Sequence, residues 1–292
     1  MTLAIDIVLS GLVLGGMYAL FALGLTLQYG VARILNLSYG EFLIGAAFGT
    51  FHLYVGMSVS PILGLLVLLP LSFVLNWLFY QVVLIPLVRR AKDQGMLEVD
   101  SILATFGVLF VIQGVMTLTF GGQLHSYSYL SVPVTILGAT LAANRLLAML
   151  VAVLIGGGLY LLLTGTRTGT AVRAVSVNPM AAQLSGIDVR SVSALAFAAG
   201  GAIVAAGGVL VSMFLTFSAA MGVVFTMKAL IVVIMGGVGN MLGALVAGLM
   251  LGVAETAVAR LVDPGLTLAV TYALFLAALL WRPTGLLGRT TL

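Results

Sequence analysis

Few side chains in this sequence could carry out acid–base, nucleophilic or metal chemistry, and they are widely spaced. The 292 residues include two histidines, His52 and His125, no cysteine, and only eight acidic residues. A metal site or a nucleophile–base pair needs several such groups within reach of one another. The two histidines are far apart in the sequence, so we interpret both as structural or interfacial residues. We predict no metal site and no enzyme activity for the chain alone.

Glycine-rich segments could bind a nucleotide phosphate, but none here has the required spacing. The phosphate-loop pattern G-x-x-x-x-G-K-[ST] is absent. The segment Gly237-Val-Gly-Asn-Met-Leu-Gly is similar to a dinucleotide-binding fingerprint, but its third glycine comes one position late. The flanking segments are apolar helices instead of a βαβ unit. The sequence therefore predicts no cofactor and no ATP site on this chain.

Polar residues inside apolar segments are the remaining candidates, because ionisable groups at membrane depth are costly and often functional. Asn36, Ser38 and Glu41 lie at the start of one such segment. Glu41 either caps the helix N-terminus, where the helix dipole favours a carboxylate, or faces a water-filled vestibule. Lys228 either extends to the outer interface or contacts a substrate or a partner subunit. With Asn240, these residues form the candidate substrate pathway.

One further pair of charges occurs late in an apolar segment. Glu255 is followed five residues later by Arg260. We expect the two to form a solvated pair near the outer interface of the membrane.

The elements that carry these residues are predicted from composition. The chain is 62% hydrophobic and 7% charged, whereas about a quarter of the residues in a soluble domain are charged. A bilayer core of about 30 Å needs about 20 apolar helical residues. We predict an all-α, polytopic transmembrane bundle of eight to ten spans, forming one domain over residues 1–292. The nine candidate spans are 3–28, 38–56, 61–88, 100–121, 145–163, 191–214, 222–237, 241–259 and 266–281.

Two of these spans have special features. The N-terminal stretch lacks a basic region and is apolar for too long to be a signal peptide, so we interpret it as the first span. The segment 222–237 is short and is predicted to be a broken or re-entrant helix.

The positive charges report topology, because Lys and Arg in short loops mark the cytoplasmic side. Two predicted spans separate the first basic cluster from the second, and four separate the second from the third. Both numbers are even, so all three clusters can share the cytoplasmic face, which places the N-terminus outside. The net charge of +4 therefore does not indicate a nucleic-acid partner. The clusters are Arg89, Arg90 and Lys92, then Arg167, Arg173 and Arg190, then Arg282 and Arg289.

Glycines four residues apart allow helix backbones to approach closely in a membrane. Such pairs are expected to serve bundle packing, with oligomerisation or moving parts as the alternative. They are Gly11/Gly15, Gly45/Gly49, Gly239/Gly243 and Gly248/Gly252.

The loop 164–190 is long, polar and clearly delimited for so apolar a chain. Asn178 is a favourable N-cap, Pro179 suits the first helical position, and Gly186 suits a helix end. The loop therefore contains a predicted two-turn helix from Pro179 to Ser185, with Met180 and Leu184 on one face. Such a helix could lie along the membrane face of the protein itself. Alternatively, it could dock a cytoplasmic partner and transmit motion into the bundle.

The residues of this loop resemble those of the cytoplasmic loop in branched-chain amino-acid ABC permeases of the LivH type. Three other stretches are similar to the same family: Ile34 to Phe42, Lys228 to Asn240 with Gly243-Ala beyond it, and Arg282 to Gly288. Val177 stands where the family often has an acidic residue. The matching loop residues are Thr166, Gly169, Arg173, Ala174, Asn178, Ala181 or Ala182, Gly186 and Ile187.

The resemblance implies a permease subunit of a binding-protein-dependent importer in the bacterial inner membrane. It also implies a second, related permease forming a heterodimer, two ATPase subunits that use the ATP, and a periplasmic or lipid-anchored binding protein. The loop would be the coupling helix seated in one ATPase. Its contact residues would be Arg173, Ala174, Asn178, Pro179, Met180, Ala181, Ala182, Leu184 and Gly186.

Other functions stay open at this point. A urea or short-chain amide permease would look alike, because the sequence shows no substrate code. A stand-alone secondary transporter would need a relay of buried carboxylates, for which only Glu41 and Glu255 are candidates. A membrane scaffold would not explain the capped helix.

Overall fold

The computed structural model describes residues 2–91, 93–136 and 139–288, most of which are helical. α3 continues through a π-helical turn, Tyr80–Leu84, into α4, so these two helices form one rod. Short 3₁₀ turns precede α10 and α12. In chain order the helices are α1 (Thr2–Ala32), α2 (Tyr39–Met57), α3 (Pro61–Phe79), α4 (Ile85–Arg90), α5 (Gln94–Phe120), α6 (Ala143–Gly165), α7 (Arg167–Val177), α8 (Pro179–Leu184), α9 (Val189–Ser212), α10 (Gly222–Gly236), α11 (Met241–Leu261) and α12 (Thr267–Trp281).

Each of the nine predicted spans corresponds to a helix or a continuous helical rod. Within the described residues, eight helical segments are long and apolar enough to cross a membrane. The predicted span 38–56 forms α2, whose 19 residues include the polar residues Glu41 and His52 and are therefore less apolar. The chain is a polytopic bundle of helices, as predicted.

The sequence analysis missed a two-stranded antiparallel hairpin between α5 and α6. Strand β1 (Pro133–Ile136) pairs with strand β2 (Ala139–Ala142). Strands of four residues are too short to show a clear alternating pattern in so apolar a chain. The hairpin leads directly into α6, where the Asn144 backbone N–H donates to the Leu130 carbonyl at 3.0 Å.

α1 and α9 form the centre of the bundle. In the most apolar 18-residue stretch of α9, 83% of the residues are buried, whereas in that of α12 only 6% are buried. The peripheral helices therefore present their apolar side chains outward, as a membrane protein must.

The close crossing of α1 and α11 depends on glycine. A Cβ atom on Gly252 would overlap the backbone of Gly15 and Gly11, and one on Gly248 would overlap the backbone of Ala19. The predicted role of these two glycine pairs in close packing is therefore confirmed.

The other two glycine pairs differ from each other. Gly243 packs against the backbone of Gly236, where α10 turns into α11. Gly45 has no atom within 4 Å of the place that its Cβ would take, so it does not mark a close crossing.

Arg89 and Arg190 lie at one end of the bundle, here called the basic end, where they line the same surface pocket. Arg282 joins them there, because the segment after α12 hydrogen-bonds to the last residues of α10. Gly30, near the end of α1, lies close to Gly239, which follows α10. The residues just after Gly30 line the same pocket as Arg89 and Arg190. The predicted clusters thus share one end, and α1 begins at the opposite end. Two cluster members lie outside the described residues, Lys92 and Arg289.

α2 and α10 both begin inside the bundle and not at one of its ends. The Tyr39 hydroxyl donates to the carbonyl of Phe21, which lies near the middle of α1, at 2.8 Å. The Gly40 N–H donates to the Thr226 hydroxyl of α10 at 2.8 Å. Since α10 starts at Gly222, one turn earlier, the first turns of both helices meet at mid-depth.

α10 is short, as the sequence predicts. Its 15 residues extend over about 22 Å, less than the bilayer core of about 30 Å. The connection from α9 therefore returns into the bundle before α10 begins.

Candidate functional site

The loop 164–190 contains two short helices, α7 and α8, at the basic end. The Thr166 hydroxyl caps α7 by accepting the N–H of Gly169 at 3.0 Å. Gly169 packs so closely on the backbone of Leu163 that no side chain would fit there. The sequence analysis missed α7, because its threonines, valines and glycine are weak helix formers.

α8 has the predicted caps. The Asn178 side chain accepts the N–H groups of Met180 at 3.0 Å and of Ala181 at 3.1 Å. Gly186 has a φ of +80°, the left-handed conformation that ends helices without a steric penalty. The helix ends one residue before the predicted Ser185. The prediction of a short, capped helix is therefore confirmed.

One face of α8 holds it to the bundle and the other is exposed. Ala182 is 3% exposed and belongs to the main apolar core. Met180 and Leu184 are 73% and 87% exposed. The structure therefore presents two large apolar side chains at the basic end, on a helix whose position is set by Ala182.

The other predicted loop residues differ in their exposure. Arg173 is exposed on α7, and its guanidinium donates to the neighbouring Thr170 hydroxyl at 3.5 Å. Ala181 and Gly186 are also exposed, while Ala174 is half-buried. Most of the predicted contact residues are thus exposed.

Asn36 and Ser38, two of the pathway candidates, are fully buried and bonded to neighbouring groups. Asn36 donates to the Gln28 side chain at 3.1 Å and accepts the Ser38 hydroxyl at 2.7 Å. Gln28 in turn donates to the carbonyl of Phe197 in α9 at 2.9 Å. These side chains hold the α1–α2 connection against α1 and α9.

Glu41 differs from its neighbours, because neither carboxylate oxygen has a hydrogen-bond partner. The residue is fully buried in the first turn of α2. Its carboxylate lies against Gly222, the first residue of α10, where a Cβ atom would overlap it. Glu41 therefore does not cap α2 by hydrogen bonding, although its charge lies where the dipoles of two helix N-termini favour it.

A groove of about 540 Å³ opens beside Glu41, between α2, α3 and α5. Its walls are apolar, with Phe42 and Phe79 in ring contact at 6.1 Å and Leu68 opposite. Ser72 contributes a hydroxyl that donates to the carbonyl of Gly201 at 2.8 Å. The groove thus has apolar walls, and Glu41 is one of its lining residues, with both carboxylate oxygens buried.

The structure corrects the interpretation of Lys228. Its ammonium group lies 2.9 Å from a carboxylate oxygen of Glu255 and donates to the Tyr18 hydroxyl at 2.6 Å. The same ammonium lies 4.6 Å from the centre of the Tyr18 ring. Only 13% of the Lys228 side chain is exposed. Lys228 therefore neither extends to an interface nor points into a free cavity; it forms an internal ion pair.

The predicted pairing of Glu255 with Arg260 is also wrong. Glu255 is 2% exposed and accepts the hydroxyls of Tyr18 and Thr271 besides its bond to Lys228. Arg260 lies 3.3 Å from Asp6 of α1 instead. Sequence spacing could not reveal this, because the partners come from three other helices.

Asn240 has a structural position at the basic end. Its side chain caps α11 by accepting the N–H of Gly243 at 3.0 Å and donates to the carbonyl of Leu287 at 2.6 Å. Its polar atoms are thus used within the chain, and its role as a pathway residue stays a prediction.

Both histidines belong to an aromatic cluster at the end opposite the basic end. The His125 ring lies 5.2 Å from Phe48 and from Phe51, and the His52 ring lies 4.9 Å from Phe120. The backbone of His125 pairs with that of Phe217. Within the described residues no group of three or more metal-binding side chains occurs. These contacts support the structural interpretation of both histidines.

A family model described as "Branched-chain amino acid transport system / permease component" matches residues 7–279. The chain belongs to this family. It is a multi-pass membrane permease component of a branched-chain amino acid transport system, not an enzyme.

Individual relatives agree with the family assignment. The "High-affinity branched-chain amino acid transport system permease protein LivH" of Salmonella typhimurium is 29% identical, over 96% of this chain and 94% of the relative. LivH of Escherichia coli K12 is 28% identical with the same coverage. BraD of Pseudomonas aeruginosa, which carries the corresponding permease description, is 27% identical over the same shares. No solved structure matches this chain.

Proposed function

We propose that this permease is the transmembrane subunit of a binding-protein-dependent ABC importer for branched-chain or related neutral amino acids. ATP hydrolysis on partner subunits drives inward transport through the loop 164–190. The observation that carries the proposal is α8: a short capped helix at the basic end, held by buried Ala182 and exposing Met180 and Leu184.

The loop fits a docking role better than a membrane-surface role. Helix-in-groove recognition depends on a few apolar anchors on one helical face. Met180 and Leu184 form such a pair, and exposed Arg173 adds a positive charge in the same loop. A helix that merely covered the bundle would bury its large apolar side chains, whereas α8 buries only Ala182. We therefore assign Arg173, Ala174, Asn178 to Ala182, Leu184 and Gly186 to contact with, or support of, an ATPase subunit.

Orientation follows from the shared basic end. Arg-rich loops remain on the cytoplasmic side, which puts α8 where ATP is available and the start of α1 on the outer face. In this proposal the protein lies in a bacterial inner membrane with its peripheral helices against lipid. A second, related permease forms a heterodimer with it, two ATPases bind below, and a periplasmic or lipid-anchored binding protein delivers substrate from outside.

The proposed pathway passes beside Glu41. Asn36 and Ser38 use their polar atoms within the chain, whereas the Glu41 carboxylate has two unpartnered oxygens. An amino acid with an ammonium group and an aliphatic side chain suits one carboxylate and the apolar walls of the adjoining groove. Asn36 and Ser38 then shape the pathway instead of contacting the substrate. A urea or amide permease is the alternative within the family. It fits this site less well, because neither urea nor a short-chain amide carries both an ammonium group and an aliphatic side chain.

A stand-alone secondary transporter is disfavoured by the pairing of Glu255. A proton relay needs carboxylates that can gain and lose protons in sequence. Glu255 is held by Lys228 and two hydroxyls, which leaves Glu41 as the single unpaired carboxylate of the two that the sequence offered.

Reconstitution in liposomes tests the proposal. With the second permease, both ATPases and the binding protein present, we expect leucine uptake that requires ATP. Liposomes that contain this chain alone, under a proton or sodium gradient, serve as the matched control and should accumulate nothing. Gradient-driven uptake by the chain alone would overturn the proposal. Uptake of urea in preference to leucine would shift it to the amide alternative.

A further inference from the structure

A second polar pocket lies at the end opposite the basic end, away from Glu41. It has a volume of about 270 Å³ and is lined by the first turn of α6, the loop before β1 and the segment after α9. Asn144 and Arg145 come from the helix, and Ser126 and Ser131 from the loop. In the proposed orientation this pocket faces the compartment from which substrate arrives.

Asn144 brings an unsatisfied acceptor to this pocket. The residue is only 4% exposed, and its side-chain nitrogen donates to the carbonyl of Met213 at 3.1 Å. Because a carbonyl can only accept, the amide nitrogen must be the atom that faces it. The Oδ1 atom is therefore the remaining group, and it has no hydrogen-bond partner. A buried acceptor without a donor is costly, so a ligand donor would be favoured here.

Arg145 supplies the opposite chemistry. Its guanidinium lies 5.9 Å from the centre of the Phe214 ring. Within the part of the chain that the structure describes, no carboxylate forms an ion pair with it. It also belongs to the first turn of the 23-residue α6, where the helix dipole favours an anion. The pocket thus offers one cation and one orphaned acceptor side by side.

We propose that this pocket binds the zwitterionic head group of an α-amino acid before translocation. Arg145 pairs with the carboxylate, and Asn144 Oδ1 accepts a hydrogen bond from the ammonium group. Phe214 and Met213 offer apolar contact for an aliphatic side chain, and the volume accommodates one such molecule. This inference rests on the proposed function, because it names where the substrate of that transporter is first held.

An acidic side chain on a docked binding protein is the other source of a carboxylate. It would satisfy Arg145 but would leave the Asn144 acceptor unpaired. The two side chains together therefore favour the free amino acid.

Equilibrium binding of radiolabelled leucine to the purified permease complex, without binding protein or ATP, tests the inference. We expect Arg145→Gln to weaken leucine binding by about tenfold or more, the scale of one charge-assisted hydrogen bond. Arg145→Lys should recover part of the affinity. Leucinamide, which lacks the carboxylate, should bind wild type and Arg145→Gln equally. 4-Methylpentanoate, which lacks the ammonium group, should bind wild type more weakly than leucine does.

Arg260→Gln is the matched control, because Arg260 is at the same end but is paired with Asp6, and it should leave leucine binding unchanged. Unchanged leucine binding in Arg145→Gln would overturn the inference. So would an equal loss of leucinamide binding, or weaker docking of substrate-free binding protein to that variant. A wild-type complex that binds leucine in this way but fails to import it with ATP would refute the proposed function while supporting the pocket.

Discussion

Lys228 of α10 and Glu255 of α11 form an ion pair inside the bundle, with 2.9 Å between the ammonium nitrogen and a carboxylate oxygen. Tyr18 of α1 and Thr271 of α12 complete the pair by donating to Glu255. Four helices are thus joined at one buried polar point. Such a pair is costly to desolvate, but leaving one member unpaired costs more.

Removing one member of this pair should destabilise the protein strongly. We expect Lys228→Met to lower the free energy of unfolding by about 3–5 kcal/mol, because Glu255 is then buried without its cation. The double variant Lys228→Met with Glu255→Gln should recover much of that loss. Thermal unfolding in detergent measures both. Arg260→Gln, which breaks the exposed pair with Asp6, is the control, with an expected cost of less than about 1 kcal/mol. A smaller effect for Lys228→Met than for the control would contradict this account.

A single methyl group should disturb the crossing of α1 and α11. Gly252→Ala places a Cβ against the backbone of Gly15, and we expect a loss of about 1–3 kcal/mol from overpacking. Gly158→Ala in α6 is the matched control, since nothing lies within 4 Å of its Cβ position. That substitution should be neutral or stabilising by up to about 1 kcal/mol, through helix propensity. Equal unfolding temperatures for the two variants would argue against the close crossing.

The exposed face of α8 should be needed for coupling. We expect Leu184→Asp or Met180→Asp to reduce the affinity for the ATPase subunits by more than about tenfold, the loss typical of an apolar anchor. Substrate-stimulated ATP hydrolysis and uptake should fall together. Leu124→Asp is the control, because Leu124 is equally apolar and 68% exposed, but lies near the opposite end.

Two further loop variants separate contact from support. Arg173→Glu should weaken ATPase binding without unfolding the loop, because Arg173 is exposed. Ala182→Phe should displace α8 from the bundle, because Ala182 is buried, and should uncouple hydrolysis from transport even where the ATPases still bind. Normal uptake and normal ATPase association in both variants would remove the coupling role from this loop.

Glu41 should be needed for transport but not for stability. Its buried carboxylate has no partner, so we expect Glu41→Gln to leave the unfolding temperature unchanged or to raise it. Leucine uptake should fall by about tenfold or more, since a charged hydrogen bond to the substrate is lost. Asp263→Asn, at an exposed turn, serves as the control for an acidic-to-amide change. A large drop in stability with normal uptake would assign Glu41 a structural role instead.

Asp188 should make the start of α9 sensitive to acid. The hydrogen bond from the Ser191 hydroxyl, at 2.6 Å, and the Ser191 backbone N–H lower the pKa of Asp188 below its usual value. The folded state therefore favours the carboxylate. Its stabilising contribution is present above the ordinary pKa of 3.8 and is lost as the pH falls through the lower folded value. Unfolding temperatures between pH 2 and pH 6 should differ from those of Asp188→Asn mainly at the upper end of this range. A constant difference across the range would contradict this linkage.

Local and compositional features were predictable from the sequence alone. The membrane class, the nine helical segments and the shared basic end follow from hydropathy and charge, because a lipid environment requires helices and positive loops stay in the cytoplasm. The limits of α8 follow from Asn178, Pro179 and Gly186, since caps depend on residues next to each other in the chain. The glycine pairs of α1 and α11 predicted close packing, though not which helices would meet.

The tertiary structure alone decided the partners of polar groups that are distant in the sequence. Lys228 and Glu255 looked like interfacial charges until the fold brought Tyr18 and Thr271 beside them. Asn240 caps α11 through the nearby Gly243, whereas only the fold brought its side chain to the distant Leu287, where it holds the C-terminal segment. Glu41 alone of the candidates kept an unpartnered charged group, and Arg145 of α6 came to lie over the ring of the distant Phe214. A sequence shows which groups need partners, whereas only three-dimensional packing decides which groups find them, since each hydrogen bond requires atoms about 3 Å apart.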